Sequence, residues 1–235
     1  MSNVKFQMFE LDAVPSTNTY LLENAARFKD GDAVFTLNQT AGRGRLGRNW
    51  DGTGQTLCLS ILKKSSAPPL YPLAAGLAVL KALEPLGIAA LLKWPNDVLV
   101  ARKKICGILC EGRFVPEPVC VAGIGVNLYQ SAEYFRERLP FAASIFSAAG
   151  QKPEPAFLAA QIIRQLEELL NWDEDALLHE YSSVCETLGR CVTVNQKGIV
   201  TPARAIGINP DGSLNAEFED GIRPVYSEIS TLRIE

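Results

Sequence analysis

The chain has 235 residues, of which 47% are hydrophobic and 21% are charged, and its formal net charge at pH 7 is −3. This composition is typical of a globular protein with a sizeable core, and the weak negative charge argues against general binding to nucleic acid or anionic lipid. The N-terminus lacks the pattern of a signal peptide, and no uninterrupted run of about 18 apolar residues occurs. We therefore expect a cytoplasmic protein without a membrane partner.

The six cysteines lie mostly in apolar segments. Their low density is unlike that of a secreted disulfide scaffold, and Cys106 and Cys110 lack a second pair at zinc-finger spacing. His179 is the single histidine, so a His-rich metal site is excluded. We expect reduced thiols and no structural zinc.

Hydrophobic periodicity predicts strands and helices in alternation up to about residue 188. In chain order, the predicted strands cover residues 4–11, 32–39, 55–62, 88–94, 97–101, 103–112 and 118–128. The predicted helices cover residues 15–28, capped by Ser16 or Thr17, 70–87, ending at Gly87, and then 156–172 and 175–188.

After Gly189 the pattern changes to short alternating strands, with turn sequences at residues 195–198, 209–212 and 219–221. A segment of this length cannot form much core alone, so it is expected to form a small β-barrel packed on the larger domain. The predicted fold class is α+β, with domains at residues 1–188 and 189–235.

The most unusual segment is the loop at residues 41–50, AGRGRLGRNW, which holds three arginines and three glycines. Its glycines match the dinucleotide-binding pattern, but that pattern requires a following helix and an acidic residue about 20 positions later. Neither is present here. A P-loop is also excluded, because no Gly-Lys-Ser/Thr follows the glycines. A solvated charged turn and an RNA-binding arginine-glycine segment remain as alternatives.

The residue types of this loop suit an anionic ligand. Glycines let backbone N–H groups approach an anion, and Arg43, Arg45 and Arg48 carry guanidinium groups that match carboxylate or phosphate oxygens. We expect the loop to close over a nucleotide. Trp50 offers a flat face for adenine, and a core aromatic residue is the alternative.

A second cluster follows at residues 93–104. Lys93 and Asp97 flank a turn that contains proline, and Lys104 begins the next predicted strand. Alone, such residues are more often ordinary surface groups. Together with the arginine loop they supply cations for a polyphosphate and a carboxylate for Mg²⁺. No nucleophile with an adjacent base is evident, so the sequence predicts chemistry by charge stabilisation and positioning of two substrates.

These motifs resemble those of the biotin protein ligases. The match runs through "STN" at 16–18, "NQTAGRGRLGRNW" at 38–50, "KWPNDVLV" at 93–100, "KKICGIL" at 103–109, "GIGVNL" at 123–128, and the C-terminal "GINPDGSL" and "SEISTLRI". The resemblance implies a mixed-sheet catalytic domain like that of class II synthetases and an SH3-like C-terminal barrel. It also implies that ATP activates biotin to biotinoyl-5′-AMP, from which biotin passes to one lysine of a biotin carboxyl carrier protein.

The resemblance further implies the site residues. The expected biotin contacts are Ser16, Thr17, Asn18, Gln39, Arg43, Gly44, Arg45 and Lys104. The expected contacts of ATP and the adenylate are Arg43, Arg45, Arg48, Trp50, Lys93, Asn96, Asp97 and Asn127. The expected catalytic groups are Lys104, Arg45, Arg48 and Asp97. Mg²⁺ is expected on the ATP phosphates with Asp97 as a candidate protein ligand, and Asp97 is also a candidate helper for deprotonating the acceptor lysine.

Two departures from the family pattern carry expectations. Position 46 is Leu where some relatives have another Arg, so no fourth guanidinium is expected in the loop. The first motif lies close to the start of the sequence, so neither a helix-turn-helix domain nor a DNA partner is expected. Monomer and homodimer both stay open.

Two other functions are alternatives to biotin ligation. A lipoate or octanoate ligase or transferase has a related fold, but the arginine-rich loop favours biotin. A biotin or nucleotide sensor without turnover is the second alternative. Lys104 together with the three loop arginines favours an enzyme.

Overall fold

The computed structural model describes residues 6–115, 117–196, 198–226 and 230–234. These residues form a seven-stranded mixed sheet with helices on both faces and a separate five-stranded sheet near the C-terminus. The predicted α+β class is confirmed.

The larger sheet has the strand order β1-β2-β3-β7-β6-β5-β4, and only β1 and β2 are parallel. Its strands are β1 (Met8–Glu10), β2 (Ala33–Gln39), β3 (Gly52–Lys63), β4 (Ala90–Lys93), β5 (Asp97–Val100), β6 (Lys103–Arg113) and β7 (Val119–Asn127).

Helices cover both faces of this sheet. They are α1 (Thr17–Glu23), α2 (Tyr71–Leu83), α3 (Ala132–Arg138), α4 (Ile145–Ala149), α5 (Pro155–Leu169) and α6 (Glu174–Ser183). The α2 helix is buried nearly all round and packs with α5 over the main core, as expected for an apolar helix between two layers. On the opposite face, Leu21 of α1 packs with Val34, Leu62 and Val121. No helix in the described ranges is long and apolar enough to cross a membrane.

Strand alternation determines which side chains face α1. In β7, Ala122, Ile124 and Val126 point into the main core, so Gly123 and Gly125 lie on the α1 face. Glycine leaves this face open for other groups to approach the backbone closely. The candidate site is built on this face.

The smaller sheet is antiparallel, with the order β11-β10-β9-β8-β12. Its strands are β8 (Cys191–Gln196), β9 (Ile199–Ile208), β10 (Leu214–Phe218), β11 (Gly221–Val225) and β12 (Ser230–Ile234). The predicted C-terminal β unit is thus present, and in the part of the chain described it is an open sheet, without closure into a barrel. There β11 pairs only with β10 and β12 only with β8, so the sheet keeps two edges.

Several predicted boundaries differ from the structure. The α1 helix ends at Glu23, where Asn24 donates from its side chain to the Tyr20 carbonyl, and a short 3-10 turn continues to Arg27. The α6 helix ends at Ser183, because the next residues pair with β4 through Leu92. The sequence did not predict α3 or α4. Residues 4–5 of the first predicted strand lie outside the described residues.

Candidate active site

One cavity of about 1020 Å³ opens on the α1 face of the large sheet. It is bordered by the start of α1, the arginine loop, the turn between β4 and β5, the segment after α3, and the first strands of the small sheet. All of the residues predicted from the sequence line this cavity: Ser16, Thr17, Asn18, Gln39, Arg43, Gly44, Arg45, Arg48, Trp50, Lys93, Asn96, Asp97, Lys104 and Asn127. The fold therefore brings together every predicted site residue.

Glycines form the floor of the cavity. Gly107 of β6 and Gly125 of β7 are paired across the two strands, and the Trp50 ring lies against both. A Cβ atom at Gly125 would lie 2.4 Å from Trp50 Cε2, and one at Gly123 would lie 2.3 Å from Asn18 Oδ1. Any side chain at these two positions would displace the groups that line the cavity.

The start of α1 presents a fixed polar group. Ser16 caps the helix, and the Thr17 backbone nitrogen donates to Gln39 Oε1 at 2.9 Å. The Thr17 hydroxyl lies 2.8 Å from the Ser60 hydroxyl and 3.1 Å from Gln39 Oε1. Because Gln39 Oε1 accepts from the Thr17 backbone, the Gln39 amide is held with its oxygen toward α1 and its nitrogen toward Gly42.

The Asn18 side chain is almost fully buried and anchored on three sides. Its amide nitrogen donates to the Leu109 carbonyl at 3.1 Å and to Glu111 Oε2 at 2.8 Å. The Ser60 hydroxyl donates to its Oδ1 at 2.6 Å. Both amide protons of Asn18 are therefore used within the protein, and only oxygen lone-pair capacity remains for a ligand.

The arginine loop is a tight hairpin. The Trp50 nitrogen donates to the Gly42 carbonyl at 3.0 Å, and the Gly44 nitrogen donates to the Arg48 carbonyl at 2.6 Å. A Cβ atom at Gly42 would lie 2.3 Å from the Trp50 carbonyl oxygen, so this position requires glycine. Leu46 lies at the tip with φ of 56°, and its side chain is 55% exposed.

Two loop arginines point to opposite ends of the cavity. Arg43 Nη2 lies 3.1 Å from Glu111 Oε1 and donates to Thr19 Oγ1 at the α1 end. Arg45 Nη1 donates to Asn96 Oδ1 at 2.9 Å, in the turn between β4 and β5. The loop is thereby connected to both ends of the cavity.

Arg48 has a different environment. Its side chain is exposed, and the guanidinium group has no hydrogen bond or ion pair to another residue in the described part of the chain. It lines the cavity mouth and is available to an anion there.

Lys104 lies between these two ends. Its Nζ atom is 2.6 Å from Asp97 Oδ1 and 5.6 Å from the centre of the Trp50 ring. The Lys104 backbone pairs with the segment after α3, donating to the Phe141 carbonyl and accepting from the Ala143 nitrogen, each at 2.9 Å. These contacts fix the ammonium group at the cavity wall.

Two predicted asparagines also hold the surrounding backbone. Asn96 donates to the Ile108 carbonyl at 2.9 Å, and Asn127 donates to the Ala143 carbonyl at 3.0 Å. Lys93 lies opposite Asp97 across the β4–β5 turn.

Several site residues were not predicted. Ser60 and Glu111 anchor Asn18, and strand alternation could have placed both on the α1 face. Thr193 and Asn195 of β8 line the cavity from the small sheet. Tyr134 of α3 lines it too and donates a hydrogen bond to Asp51, while Arg138 lies over the Tyr134 ring. No local sequence signal marks these last contacts, since they depend on how distant segments pack.

The cysteines are free, as predicted. Cys58 lines the cavity, and burial raises the pKa of its thiol to about 12, so it stays protonated at neutral pH. Within the described ranges no three His, Cys, Asp or Glu side chains are grouped to hold a metal ion.

Comparisons with known proteins agree with these motifs. Residues 10–127 match the model of the biotin/lipoate A/B protein ligase family. The chain is 37% identical over 208 residues to a biotin–[acetyl-CoA-carboxylase] ligase from Mycobacterium tuberculosis, covering 80% of this chain and 76% of that protein. It is 30% identical over 214 residues to the bifunctional ligase/repressor BirA of Bacillus subtilis, covering 84% of this chain and 65% of that protein.

A solved structure extends the likeness to the whole fold. A biotin protein ligase from Aquifex aeolicus, in complex with biotin and ATP, superposes with a TM-score of 0.82 at 28% identity, covering 97% of this chain and 99% of the other. With the family match and the relative at 37% identity, this agreement is sufficient for assignment. The chain belongs to the biotin/lipoate A/B protein ligase family.

Proposed function

We infer that the chain is a biotin protein ligase: it uses ATP to activate biotin as biotinoyl-5′-AMP and transfers biotin to a lysine of the carrier protein of a carboxylase such as acetyl-CoA carboxylase. The convergence of the arginine loop, Lys104 and the 16–18 motif on one cavity carries this conclusion.

We propose that the α1 end of the cavity holds biotin. The uncharged ureido ring needs hydrogen-bond partners within a largely apolar pocket, and the polar groups at the α1 end are almost completely shielded from water. The cations beside Gly44 would meet the biotin carboxylate, and Gly44 itself, whose nitrogen donates to the Arg48 carbonyl, would let the loop approach the ligand closely. The proposed biotin residues are Ser16, Thr17, Asn18, Gln39, Arg43, Gly44, Arg45 and Lys104.

We propose that the other end holds ATP and the adenylate. Arg48 and Lys93 would meet phosphate oxygens, and Trp50 would form a flat wall beside the nucleotide. Asn127 uses its amide nitrogen on the Ala143 carbonyl, so its oxygen is what remains for a ligand. The full proposed set is Arg43, Arg45, Arg48, Trp50, Lys93, Asn96, Asp97 and Asn127.

The first chemical step joins two anions. A carboxylate oxygen of biotin attacks the α-phosphorus of ATP, and the bond to the bridging oxygen of pyrophosphate breaks. Lys104 and the guanidinium groups of Arg45 and Arg48 would offset the repulsion between carboxylate and phosphates and stabilise charge on the pentavalent phosphorus. These groups act by position and charge and form no bond to the substrate.

The residues present fit a magnesium ion that arrives with ATP better than one held by the protein. A resident site needs several oxygen ligands, and the described residues show no group of three carboxylate, thiol or imidazole side chains; Asp97, the predicted ligand, is already paired with Lys104 at 2.6 Å. A magnesium ion carried in by ATP would supply positive charge to the leaving pyrophosphate. Asp97 is the one candidate protein ligand.

The second step requires a neutral acceptor lysine. With an ordinary pKa near 10.4, deprotonation at pH 7 costs roughly 4 to 5 kcal/mol. We propose that Asp97 accepts this proton. An Asp97→Ala variant given pre-made biotinoyl-AMP should then transfer biotin slowly, and a normal transfer rate would exclude this role.

A biotin-dependent exchange of labelled pyrophosphate into ATP tests the activation step without a carrier. We expect exchange with biotin and none with octanoate or lipoate. Exchange with octanoate or lipoate instead would identify the other acyl class of the family. Biotin binding without exchange would indicate a sensor.

We also propose that the chain acts in the cytoplasm, without a DNA or membrane partner. The net charge of −3 supports a chain that acts without DNA or membrane, and six free thiols support a reducing, cytoplasmic location. A sequence-specific DNA complex formed with biotinoyl-AMP present would contradict the first point. Sedimentation with and without biotinoyl-AMP would distinguish a monomer from a homodimer.

A further inference from the structure

Beneath the residues that line the α1 end of the cavity lies a second layer of polar groups. Ser60 of β3 is completely buried, and Glu111 of β6 is largely buried. Both contact Asn18, from opposite sides. Neither belongs to the motifs that identified the site.

The contacts fix the orientation of the Asn18 amide. Asn18 Nδ2 faces two acceptors, the Leu109 carbonyl and the Glu111 carboxylate. A flipped amide would place its oxygen against both of these acceptors, which is unfavourable. At the other end, Asn18 Oδ1 cannot donate, so the Ser60 hydroxyl at 2.6 Å must donate to it. The Ser60 oxygen in turn accepts from the Thr17 hydroxyl at 2.8 Å, so Ser60 also holds Thr17 in place.

This arrangement leaves Asn18 able to accept a hydrogen bond from a ligand but not to donate one. Its protons are used toward β6, and one lone pair of its oxygen is used by Ser60, so the remaining lone pair is available to a ligand. The negative Glu111 accepts from the Asn18 nitrogen and thereby polarises the amide, which strengthens its oxygen as an acceptor.

We propose that Ser60 and Glu111 are positioning residues that make Asn18 present an acceptor oxygen to the ligand, so that the pocket selects a head group carrying N–H donors. The inference rests on the proposed biotin ligase function and deepens it, because the cyclic urea of biotin carries N–H groups where an octanoyl chain or a dithiolane ring has none. A buried acceptor left without a donor is unfavourable, which is how such a site discriminates.

Glu111 also connects this layer to the arginine loop, since it pairs with Arg43 at 3.1 Å. Replacement by Gln keeps an oxygen that can accept from Asn18 and removes the charge. Glu111→Gln therefore tests the polarisation of Asn18 in a side chain that remains nearly the same size.

The test is calorimetric binding of biotin and of two analogues in which oxygen replaces one or the other ureido N–H group. We expect wild-type protein to bind at least one analogue about tenfold or more weakly than biotin. The quantity to compare is the ratio of the affinity for biotin to the affinity for the analogue. In Ser60→Ala we expect this ratio to fall at least about threefold while biotin itself binds about tenfold more weakly. Glu111→Gln should lower the ratio in the same direction.

A matched control is available on the neighbouring strand. Thr36 of β2 is also completely buried and hydrogen-bonded, yet it does not line the cavity. Thr36→Val should lose a comparable buried hydroxyl group and keep the wild-type ratio. Loss of biotin and analogue affinity by the same factor in Ser60→Ala would overturn the inference and leave the ligase function intact. Wild-type protein that neither binds nor activates biotin would refute the proposed function itself.

Discussion

The Arg45 side chain is the contact that closes the loop against the β4–β5 turn. Its Nη1 atom donates to Asn96 Oδ1 at 2.9 Å, on the side of the cavity opposite to Arg43. We propose that a guanidinium group placed there closes the mouth over a bound adenylate and holds its phosphate.

Arg45→Ala should release biotinoyl-AMP into solution before transfer, because the mouth loses both its closure and a cation. We expect labelling of lysines on a bystander protein to rise about tenfold or more relative to wild type, measured by streptavidin blotting. Arg164→Ala, at an exposed position of α5, is the control and should label only the carrier. If Arg45→Ala labels only the carrier, at the wild-type rate, then Arg45 does not close the mouth of the cavity.

Lys104 places an ammonium group in the cavity wall, beside Asp97 and the Trp50 ring. Lys104→Met keeps most of the side-chain volume and removes the charge, so biotin-dependent pyrophosphate exchange should fall about 100-fold or more. The melting temperature should fall to some extent as well, since Asp97 is largely buried and loses the cation that pairs with it among the described residues; the loss of exchange is therefore measured well below the melting temperature of the variant. Exchange within a few-fold of wild type would rule out a catalytic role for Lys104.

At the level of single residues, the sequence identified the groups that line the cavity but not the groups that orient them. Arg43, Arg45 and Lys104 stand in unusual local patterns and could be recognised directly. Ser60 and Glu111 are ordinary residues of apolar strands, and only the pairing of β3, β7 and β6 brings them to opposite sides of Asn18. Side-chain orientation across strands is a tertiary property.

At the scale of elements, the "GIGVN" segment of β7 shows how a strand forms a cavity floor. Alternation buries Ile124 in the core and turns Gly123 and Gly125 toward the site, where Asn18 and Trp50 replace the missing side chains.

Gly125→Ala should force Trp50 off the floor, because the new Cβ atom would lie 2.4 Å from its ring. We expect biotin affinity to fall about tenfold or more, measured by calorimetry, with quenching or shift of tryptophan fluorescence. Gly76→Ala on α2 is the control, since its Cβ atom would lie 3.6 Å from Leu92, an ordinary contact. That control should bind biotin normally. Its free energy of unfolding should equal that of the wild type or exceed it by up to about 1 kcal/mol. Normal biotin binding by Gly125→Ala would show that the floor is not needed.

Long periodic elements were predictable, and elements fixed by tertiary pairing were not. The patterns for α2 and α5 were strong enough to place both helices. In contrast, α6 stops five residues before the predicted end at Leu188, because the chain there pairs with Leu92. For a similar reason the sequence could not predict whether the C-terminal strands close into a barrel, because closure depends on edges that meet in space.

Across the whole molecule, the two sheets share contacts near the site. The Trp94 indole donates to the Gly212 carbonyl at 3.0 Å, and one hydrophobic core cluster contains both Leu73 of α2 and Leu214 of β10. We propose that residues 1–188 and 189–235 are two domains that unfold together because of these contacts. The small sheet then supports the turn that carries Asn96 and Asp97.

Buried thiols make the fold sensitive to alkaline pH. Burial raises the pKa of Cys58 to about 12 and that of Cys120 to about 11, and it raises the pKa of Cys106, Cys110, Tyr71 and Tyr181 as well. Because the folded pKa values are raised, this stability is complete below the unfolded thiol pKa near 8.5 and is lost as pH rises toward the folded values.

The free energy of unfolding should therefore fall above about pH 9, by roughly 1 to 1.5 kcal/mol per pH unit for each fully buried thiol. Urea denaturation at pH 8, 9 and 10 measures this slope. Cys106→Ala should flatten it, whereas Cys191→Ala, at an exposed position, should leave it unchanged. Equal slopes in wild type and Cys106→Ala would contradict the burial argument.

If this cavity activates biotin and delivers it to a carrier lysine, the carrier itself must be modified. Mass spectrometry of a purified biotin carboxyl carrier domain, incubated with the protein, biotin, ATP and Mg²⁺, tests it most directly. We predict one biotinoyl group on one lysine, none without ATP, and none with Lys104→Met. A carrier that stays unmodified while a known biotin ligase modifies it in the same mixture would contradict the account.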